Sequence, residues 1–367
     1  MIYLDYGATS FHKPAAVYRA VERAMRTCAN PGRGGYDGAM KAAETVYDCR
    51  EAAGRLFSCK PEQVVLTTSC THGLNLAIRS IVKPGDTVVV TGFEHNAVMR
   101  PLYALNARIR IAGRRLFDWD DTLTQFENAL QGADAAVFTH VSNVFGYILP
   151  VGEMAAMCRS RGIPFILDAA QSAGTLPVNF RELGADFVAM PGHKGLLGPQ
   201  GTGLLLCAQP GTPLLYGGTG TQSLSREMPE ELPERLEAGT LNVPGYAGLT
   251  QGLRYLNRVG TEGGFRREQG LAEHCAHGLI RQGFRVFAGP HQGATVSFVP
   301  SVDCETGAEL LARQGFAVRA GLHCAPLAHE SAGTLSTGTI RVSLGYDTTP
   351  GEIDGFLRAT AKIRGNR

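Results

Sequence analysis

The amino-acid sequence predicts an α/β protein whose large domain is built on a mostly parallel sheet. Between about residues 61 and 203, short apolar runs alternate with stretches of helical periodicity, which is the order of a βαβ fold. The apolar runs do not alternate with polar residues, so the strands are expected to be buried on both faces, as in parallel sheets. A length of 367 residues favours one large and one smaller domain.

The predicted strands of the large domain share short runs of Val, Leu, Phe, Ile and Ala. They are Val64–Thr67, Thr87–Thr91, Ala135–His140, Phe165–Asp168, Phe187–Met190 and Gly203–Leu206. Predicted helices begin near His72, His95 and Val151. The segment 217–233 is rich in Gly, Thr, Ser and Pro, and this composition predicts a long loop.

A smaller C-terminal α+β domain is predicted to follow. Apolar residues at helical spacing over residues 265–279 predict an amphipathic helix. Further predicted elements are strands at Ala294–Val299 and Ile340–Leu344 and helices at Glu305–Gln314 and Gly351–Ile363. We assign residues 12–248 to the large domain, and residues 1–11 together with 249–367 to the small one.

Composition and charge exclude several classes of protein. The formal net charge is 35 − 33 = +2 without a basic run, so nothing supports nucleic-acid binding. No apolar stretch reaches the roughly 18 residues that span a bilayer, and the first residues do not resemble a signal peptide. Nine scattered cysteines without a CxxC pair indicate reduced thiols and predict a cytoplasmic protein.

The most informative residues are an aspartate and a lysine that each follow an apolar strand. Asp168 ends the run at 165–168, and Lys194 lies in the sequence Pro-Gly-His-Lys-Gly just after the run at 187–190. Pyridoxal 5'-phosphate (PLP) enzymes need such a pair, because the lysine holds the cofactor as a Schiff base and the carboxylate keeps the pyridine nitrogen protonated. Taken alone, Lys194 could be a solvated surface lysine and Asp168 a helix cap.

Other residues at the carboxyl ends of the predicted strands fit a cradle for this cofactor. The hydroxyl of Thr71 and nearby backbone N–H groups lie at a predicted helix N-terminus, where a phosphate can bind. His95 can stack on the pyridine ring, Asn143 can bond the ring hydroxyl, and His193 can donate to the phosphate. The alternatives are a helix-start histidine for His95 and an Asx turn for Asn143.

Two residues in the C-terminal part suggest a reaction. Cys324 lies in a loop with Gly and Pro, and Arg319 and His323 nearby are expected to favour its nucleophilic thiolate. Arg341 lies inside an apolar strand, where a substrate carboxylate or a structural ion pair can neutralise it. We predict no metal site, because His323, Cys324 and His329 lack a fourth ligand. The glycines at 217–220 match no P-loop.

Several motifs in order resemble those of the class V aminotransferase-like group of fold type I PLP enzymes, and most closely the group II cysteine desulfurases and selenocysteine lyases. They are the segments 3–9, 94–97, 139–146, 168–171, 192–194, 237–242, 322–326 and 340–343. The resemblance covers nearly the whole chain. It implies a seven-stranded-type sheet in the large domain, the cofactor PLP and a homodimer.

The resemblance also implies roles for individual residues. Lys194 carries the cofactor, Asp168 binds its ring nitrogen, His95 stacks on its ring, and Gln171 and Asn143 lie near the ring hydroxyl. The phosphate is bound by His193, Thr71 and the turn that contains Cys70, and by Thr240 of the other subunit. Arg341, with Asn143, binds the substrate, and Cys324 is the nucleophile. The catalytic residues that the resemblance implies are Lys194, Cys324 and His95.

The chain departs from the family pattern near the phosphate. Pro191 stands where a Ser or Thr is usual, and Cys70 stands where a Thr is usual, so two hydroxyl donors are absent. His72 replaces an acidic residue, and Tyr6-Gly7 replaces Asn-Ala near the start. PLP is still expected to bind, because Lys194 and Asp168 remain.

We therefore predict a cysteine desulfurase in which Lys194 moves the substrate α-proton and Cys324 takes the sulfur as a persulfide, with release of alanine. The persulfide would then pass to an acceptor protein. The alternatives are a selenocysteine lyase, a C–S lyase or an aminotransferase of the same fold, because fold alone does not fix the reaction. Another is a weakly active PLP-binding partner in sulfur or selenium delivery.

Overall fold

The computed structural model describes residues 1–32 and 34–363. These residues form thirteen strands, in chain order β1 (Ile2–Tyr3), β2 (Val64–Thr67), β3 (Thr87–Thr91), β4 (Arg108–Ala112), β5 (Ala135–Thr139), β6 (Phe165–Asp168), β7 (Phe187–Pro191), β8 (Gly203–Cys207), β9 (Arg285–Phe287), β10 (Thr295–Val299), β11 (Phe316–Ala317), β12 (Arg319–Gly321) and β13 (Thr339–Ser343).

The described part of the chain also contains twelve α-helices and two 3-10 turns, at Pro61–Gln63 and Glu234–Leu236. The helices are α1 (Ala15–Thr27), α2 (Asp37–Phe57), α3 (Cys70–Ile81), α4 (Asn96–Ala104), α5 (Trp119–Ala129), α6 (Val151–Ser160), α7 (Phe180–Leu183), α8 (Val243–Val259), α9 (Glu262–Arg281), α10 (Cys304–Arg313), α11 (Pro326–Ala332) and α12 (Pro350–Ile363). No helix among the described residues is long and apolar enough to cross a membrane.

The large domain has the predicted seven-stranded sheet, in the order β2-β8-β7-β6-β5-β3-β4. The pairs from β7 to β4 are parallel, and β8 is antiparallel to both of its neighbours. Every residue of β5 is buried, and its side chains alternate between two apolar clusters, one on each face of the sheet. Burial on both faces explains why the strands read as continuous apolar runs.

The small domain has a four-stranded sheet in the order β12-β13-β10-β9, which is antiparallel throughout. Helices α9, α10 and α12 supply part of its apolar core, which also includes Leu4 from the start of the chain. Strand β1 pairs in parallel with β11, and Asp5 forms a bridge to Ser343 at the end of β13. The first residues of the chain are therefore held by the small domain.

Most of the elements predicted from sequence are present within a residue or two, including the helices that begin near His72 and His95. The prediction missed β4, an edge strand whose first four side chains are only half-buried or exposed, so that no apolar run marks it. It also made no prediction for α1, α2 and α5. Helix α8 runs without a break across residues 248 and 249, and the domain limits stay a prediction.

Candidate functional site

A cavity lies at the carboxyl ends of β5, β6 and β7 and against the N-termini of α3 and α4. This edge of a parallel sheet is where open α/β folds bind ligands. The cavity is lined by most of the residues singled out from the sequence, namely Cys70, Thr71, His95, Asn143, Asp168, Gln171, His193 and Lys194. Pro191 also lines it and offers neither a hydroxyl nor an N–H group.

Asp168 and Lys194 both line this cavity and interact electrostatically. The Asp168 Oδ1 atom accepts hydrogen bonds from the Ala170 N–H at 2.8 Å and from the Cys70 thiol at 3.6 Å. Burial raises the pKa of the Asp168 carboxyl, and the Ala170 N–H and the Lys194 charge oppose that shift. Burial also lowers the pKa of Lys194, which favours the neutral, nucleophilic amine.

Cys70 lines the same cavity, and its thiol contacts Asp168. Its side chain is buried and directed at Asp168, and burial together with the Asp168 charge raises its thiol pKa well above the usual value. The thiol therefore stays protonated and serves as a donor to the carboxylate. Only the backbone of Cys70 is free to face an anion at the helix N-terminus.

The N-terminus of α3 supplies donors for an anion. Helix α3 begins after Ser69, whose hydroxyl accepts the N–H of His72 at 3.1 Å. The N–H groups of Cys70 and Thr71 precede that capped position and find no partner among the described residues. Unpaired N–H groups at a helix N-terminus attract anions through hydrogen bonds and the helix dipole.

His95 is neutral and held in a fixed orientation. Its Nδ1 atom accepts the Ala97 N–H at 3.0 Å at the start of α4, which leaves Nε2 to carry the proton. Burial, together with the Lys194 charge, lowers the pKa of His95 to about 4. A neutral, half-buried imidazole with a fixed plane suits stacking on a flat ring.

The preceding residue, Glu94, anchors the turn that carries His95. Its Oε1 atom accepts the Thr91 hydroxyl at 2.6 Å and the Thr139 N–H at 3.0 Å, which ties the turn after β3 to β5. Glu94 is fully buried, its Oε2 atom has no partner among the described residues, and burial raises its pKa to about 8. In the sequence Glu94 appears only as part of a motif, and nothing in its neighbours reveals this supporting role.

The start of the chain contacts two residues that line the cavity. The Gln171 side-chain amide donates to the Gly7 carbonyl at 3.0 Å, and His193 Nδ1 lies 3.1 Å from the Thr9 hydroxyl. Burial lowers the pKa of His193 to about 4, so its ring is neutral at physiological pH. One amide N–H of Gln171 is thus used on the backbone, and its Oε1 atom and second N–H are left for a ligand.

Arg341 and Asn143 meet beside the cavity and each keeps one unused polar atom. The Arg341 Nη1 atom donates to the Asn143 carbonyl at 2.9 Å, and Nη2 donates to an Asp5 carboxylate oxygen at 2.7 Å. Arg341 Nε and Asn143 Oδ1 are buried without a partner among the described residues. Arg341 therefore has the structural ion pair that was one of its two predicted explanations, and it retains a buried donor for an anion.

Cys324 is the exposed thiol of the nine, all of which lie in the described ranges. His323 and Cys324 both adopt left-handed backbone angles, with φ of 50° and 56°, which is uncommon for residues other than glycine. The loop is held by the Asn143 amide, which donates to the His323 carbonyl, and by the Asn96 N–H, which donates to the Cys324 carbonyl, both at 2.8 Å.

The expectation that His323 would favour the Cys324 thiolate is wrong. The imidazole is buried against Thr339, and burial with the nearby Arg341 charge lowers its pKa to about 2. A neutral ring cannot stabilise a thiolate by charge. Arg319 remains the positive group near Cys324, within electrostatic reach of it.

Thr240 is the one predicted cofactor residue outside the cavity. It is exposed in the segment after Glu237, beside a separate depression formed with residues 218–221. Glu237 fixes this segment through a buried bidentate ion pair with Arg50, at 2.7 and 2.8 Å. Thr240 does not line the cavity that contains Lys194.

The model of the family described as aminotransferase class-V matches residues 2–356. The chain therefore belongs to the class V aminotransferase family.

Relatives within that family share one activity by name. A probable cysteine desulfurase from Methanothermobacter thermautotrophicus is 31% identical, over 99% of this chain and 95% of the relative. The apo structure of a cysteine desulfurase from Thermococcus onnurineus has a TM-score of 0.91 at 30% identity, covering 99% and 94% of the two chains. The cysteine desulfurase CsdA from Escherichia coli, an S-sulfonic acid form, has a TM-score of 0.87 at 26% identity, covering 98% and 94%.

Proposed function

We propose that this chain is a PLP-dependent cysteine desulfurase that converts L-cysteine to alanine and holds the sulfur as a persulfide on Cys324. The observation that carries the proposal is the exposed Cys324 on a clamped loop beside a cavity that contains the Lys194 and Asp168 pair. The names of the relatives support the same reaction.

The residues present fit the cofactor. The unpaired N–H groups of Cys70 and Thr71 suit the phosphate, with His193 beside them, and the buried acceptor Asn143 Oδ1 suits a ring hydroxyl. Asp168 would bind the ring nitrogen, His95 would stack on the ring, and Lys194 would hold the cofactor covalently. When bound, PLP supplies an electron sink for the bonds at the substrate α-carbon.

Three residues of the chain would take separate roles in the reaction. Arg341 Nε, a buried donor without a partner among the described residues, would bind the substrate carboxylate. Lys194 Nζ, whose pKa is lowered by burial, would accept the α-proton. The Cys324 thiolate would form an S–S bond to the substrate sulfur as the C–S bond breaks, leaving the sulfur on Cys324.

The exposure of Cys324 and Thr240 supports two partners. An exposed persulfide on Cys324 can pass its sulfur to an acceptor protein without entering the cavity. Thr240 is exposed on a segment anchored by the ion pair of Arg50 and Glu237, and we propose, as the family resemblance implies, that it completes the phosphate site of a second copy in a homodimer. We further propose the division into residues 12–248 and residues 1–11 with 249–367, and a cytoplasmic location.

The test is an anaerobic turnover assay of purified, PLP-loaded protein with L-cysteine and with L-selenocysteine, reading alanine together with sulfide or selenide. We expect turnover of cysteine, abolished in Cys324→Ala with cofactor absorbance intact. The matched control is Cys28→Ala, a half-buried thiol outside the site. Turnover of selenocysteine alone would make the chain a lyase, and wild-type cysteine turnover in Cys324→Ala would refute the assigned nucleophile.

A further inference from the structure

The small-domain sheet places two arginines directly opposite each other. Arg319 on β12 pairs with Arg341 on β13 in the antiparallel register, so their side chains share one face. Like charges at such positions repel, and the guanidinium of Arg341 is buried, which makes the repulsion harder to screen. The arrangement needs an anion between the two groups.

Asp5 supplies that anion from the far end of the sequence. One carboxylate oxygen accepts Arg341 Nη2 at 2.7 Å, and the other accepts Arg319 Nη2 at 2.9 Å and Nε at 3.0 Å. The bridge between Asp5 and Ser343 fixes the backbone of Asp5 against the end of β13. The carboxylate is buried and touches both arginines at once.

Both arginines are connected to groups that take part in the proposed reaction. Arg341 holds the Asn143 carbonyl, and the Asn143 amide holds the loop of Cys324 through the His323 carbonyl. Arg319 begins β12, the strand that leads into the same loop, and lies within electrostatic reach of Cys324. The loop is thus connected to Arg341 along two routes, one of which runs through Asp5.

We propose that Asp5 is a positioning residue that joins the carboxylate-binding group Arg341 and the Cys324 loop into one unit. This inference rests on the proposed function for the roles of Arg341 and Cys324. Asp5 itself touches neither the substrate nor the thiol. It holds Arg341 in the orientation that leaves Nε free, and its carboxylate offsets part of the Arg319 charge that acts on Cys324.

The experiment compares Asp5→Asn and Asp5→Glu with wild type in the PLP-loaded protein, using steady-state kinetics and alkylation of Cys324 by iodoacetamide followed by mass spectrometry. In Asp5→Asn we expect the KM for L-cysteine to rise about tenfold or more, because Arg341 loses its charged anchor. We expect Cys324 to be alkylated about threefold faster or more, because the released Arg319 charge attracts the thiolate. Asp5→Glu should largely restore both values.

Two controls separate positioning from general damage. Asp48→Asn removes a similar carboxylate from an exposed ion pair with Arg254 and should change neither value. Alkylation of Cys28 in the same samples reports general loosening and should stay constant. If Asp5→Asn does not fold, Arg319→Gln cuts the same bridge, and it should raise the KM and slow alkylation of Cys324.

The proposal is overturned if Asp5→Asn, or Arg319→Gln in its place, leaves the KM and the Cys324 alkylation rate at their wild-type values. It is also overturned if alkylation of Cys28 accelerates as much as that of Cys324. Alkylation does not depend on turnover. A protein without cysteine turnover whose Cys324 still responds to Asp5→Asn would refute the proposed function and leave the bridge supported.

Discussion

The two halves of the site are built in opposite ways. The cofactor end, around Lys194 and Asp168, lies at the edge of a sheet buried on both faces, and Asp168 is hydrogen-bonded to Cys70 and Ala170 of the same domain. The Cys324 end is a loop with two left-handed residues and an exposed thiol, held by contacts from other parts of the chain. Lys194 and Asp168 are positioned mainly by the buried strands that precede them, whereas the Cys324 loop is held by contacts from distant segments.

This difference fits the two tasks of the proposed reaction. The lowered pKa of Lys194 depends on burial, and the bonds to a cofactor are stronger where water is excluded. Both needs favour a dry, rigid environment at the cofactor end. A thiol that must receive sulfur and then release it to an acceptor needs access to solvent. The comparison predicts that substitutions at the cofactor end change cofactor content, while substitutions at the Cys324 end change turnover and leave cofactor content intact.

Lys194→Ala should give the largest effect and defines the cofactor end. We expect turnover of L-cysteine to fall by about a thousandfold or more, because both the covalent anchor and the proton acceptor are lost. The visible absorbance of the bound cofactor should fall with it, measured after gel filtration. Lys83→Ala, far along the chain on an exposed turn, should retain both. Normal turnover in Lys194→Ala would contradict the assignment.

Arg341→Gln should separate the two ends. The KM for L-cysteine should rise about 10- to 100-fold, because a buried charged donor to the substrate carboxylate is removed. Cofactor absorbance should match wild type, since Arg341 does not line the cofactor cavity. The control is Arg313→Gln, which removes an exposed arginine on α10. Loss of cofactor together with an unchanged KM would contradict the division of the site into a cofactor end and a Cys324 end.

Glu94→Gln should change how stability depends on pH, an effect on the fold rather than on cofactor or substrate binding. The pKa of Glu94 is raised from 4.5 to about 8 by burial, so the folded chain holds this proton where the unfolded chain has lost it. The stability that this proton contributes is complete below about pH 4.5 and is lost as pH rises through about 8. Relative to wild type, Glu94→Gln should therefore gain stability over that range, by at most about 1.4 kcal/mol per pH unit.

Urea unfolding at a series of pH values measures this difference in the free energy of unfolding. Glu153→Gln, at an exposed position in the first turn of α6, serves as the control and should run parallel to wild type. Parallel curves for Glu94→Gln would show that this carboxyl is ionised in the folded chain across the whole range.

Local patterns predicted the strands that precede Asp168 and Lys194 well. Strands buried on both faces read as apolar runs, and Asp168 and the segment around Lys194 follow those runs directly. The edge strand β4 was not predicted, because half-buried and exposed side chains do not form such a run. The resemblance to a known family supplied the fold type, which comparison confirmed.

Those local patterns could not predict contacts between distant parts of the chain. Asp5 and Arg341 are 336 residues apart, so neither position reveals the ion pair in the sequence. His323 looked like a positive neighbour of Cys324, but its charge depends on burial by Thr339 and other residues of the folded small domain. Both cases concern the Cys324 end, which is the half that other segments hold in place.

The most direct test of the account is to locate the sulfur after a single turnover. PLP-loaded protein is mixed anaerobically with less than one equivalent of L-cysteine, digested, and analysed by mass spectrometry alongside the alanine released. The account predicts one additional sulfur atom on the peptide that contains Cys324, in proportion to alanine. Alanine release with the sulfur on another cysteine, such as the buried Cys70, or with no sulfur on the protein, would contradict it.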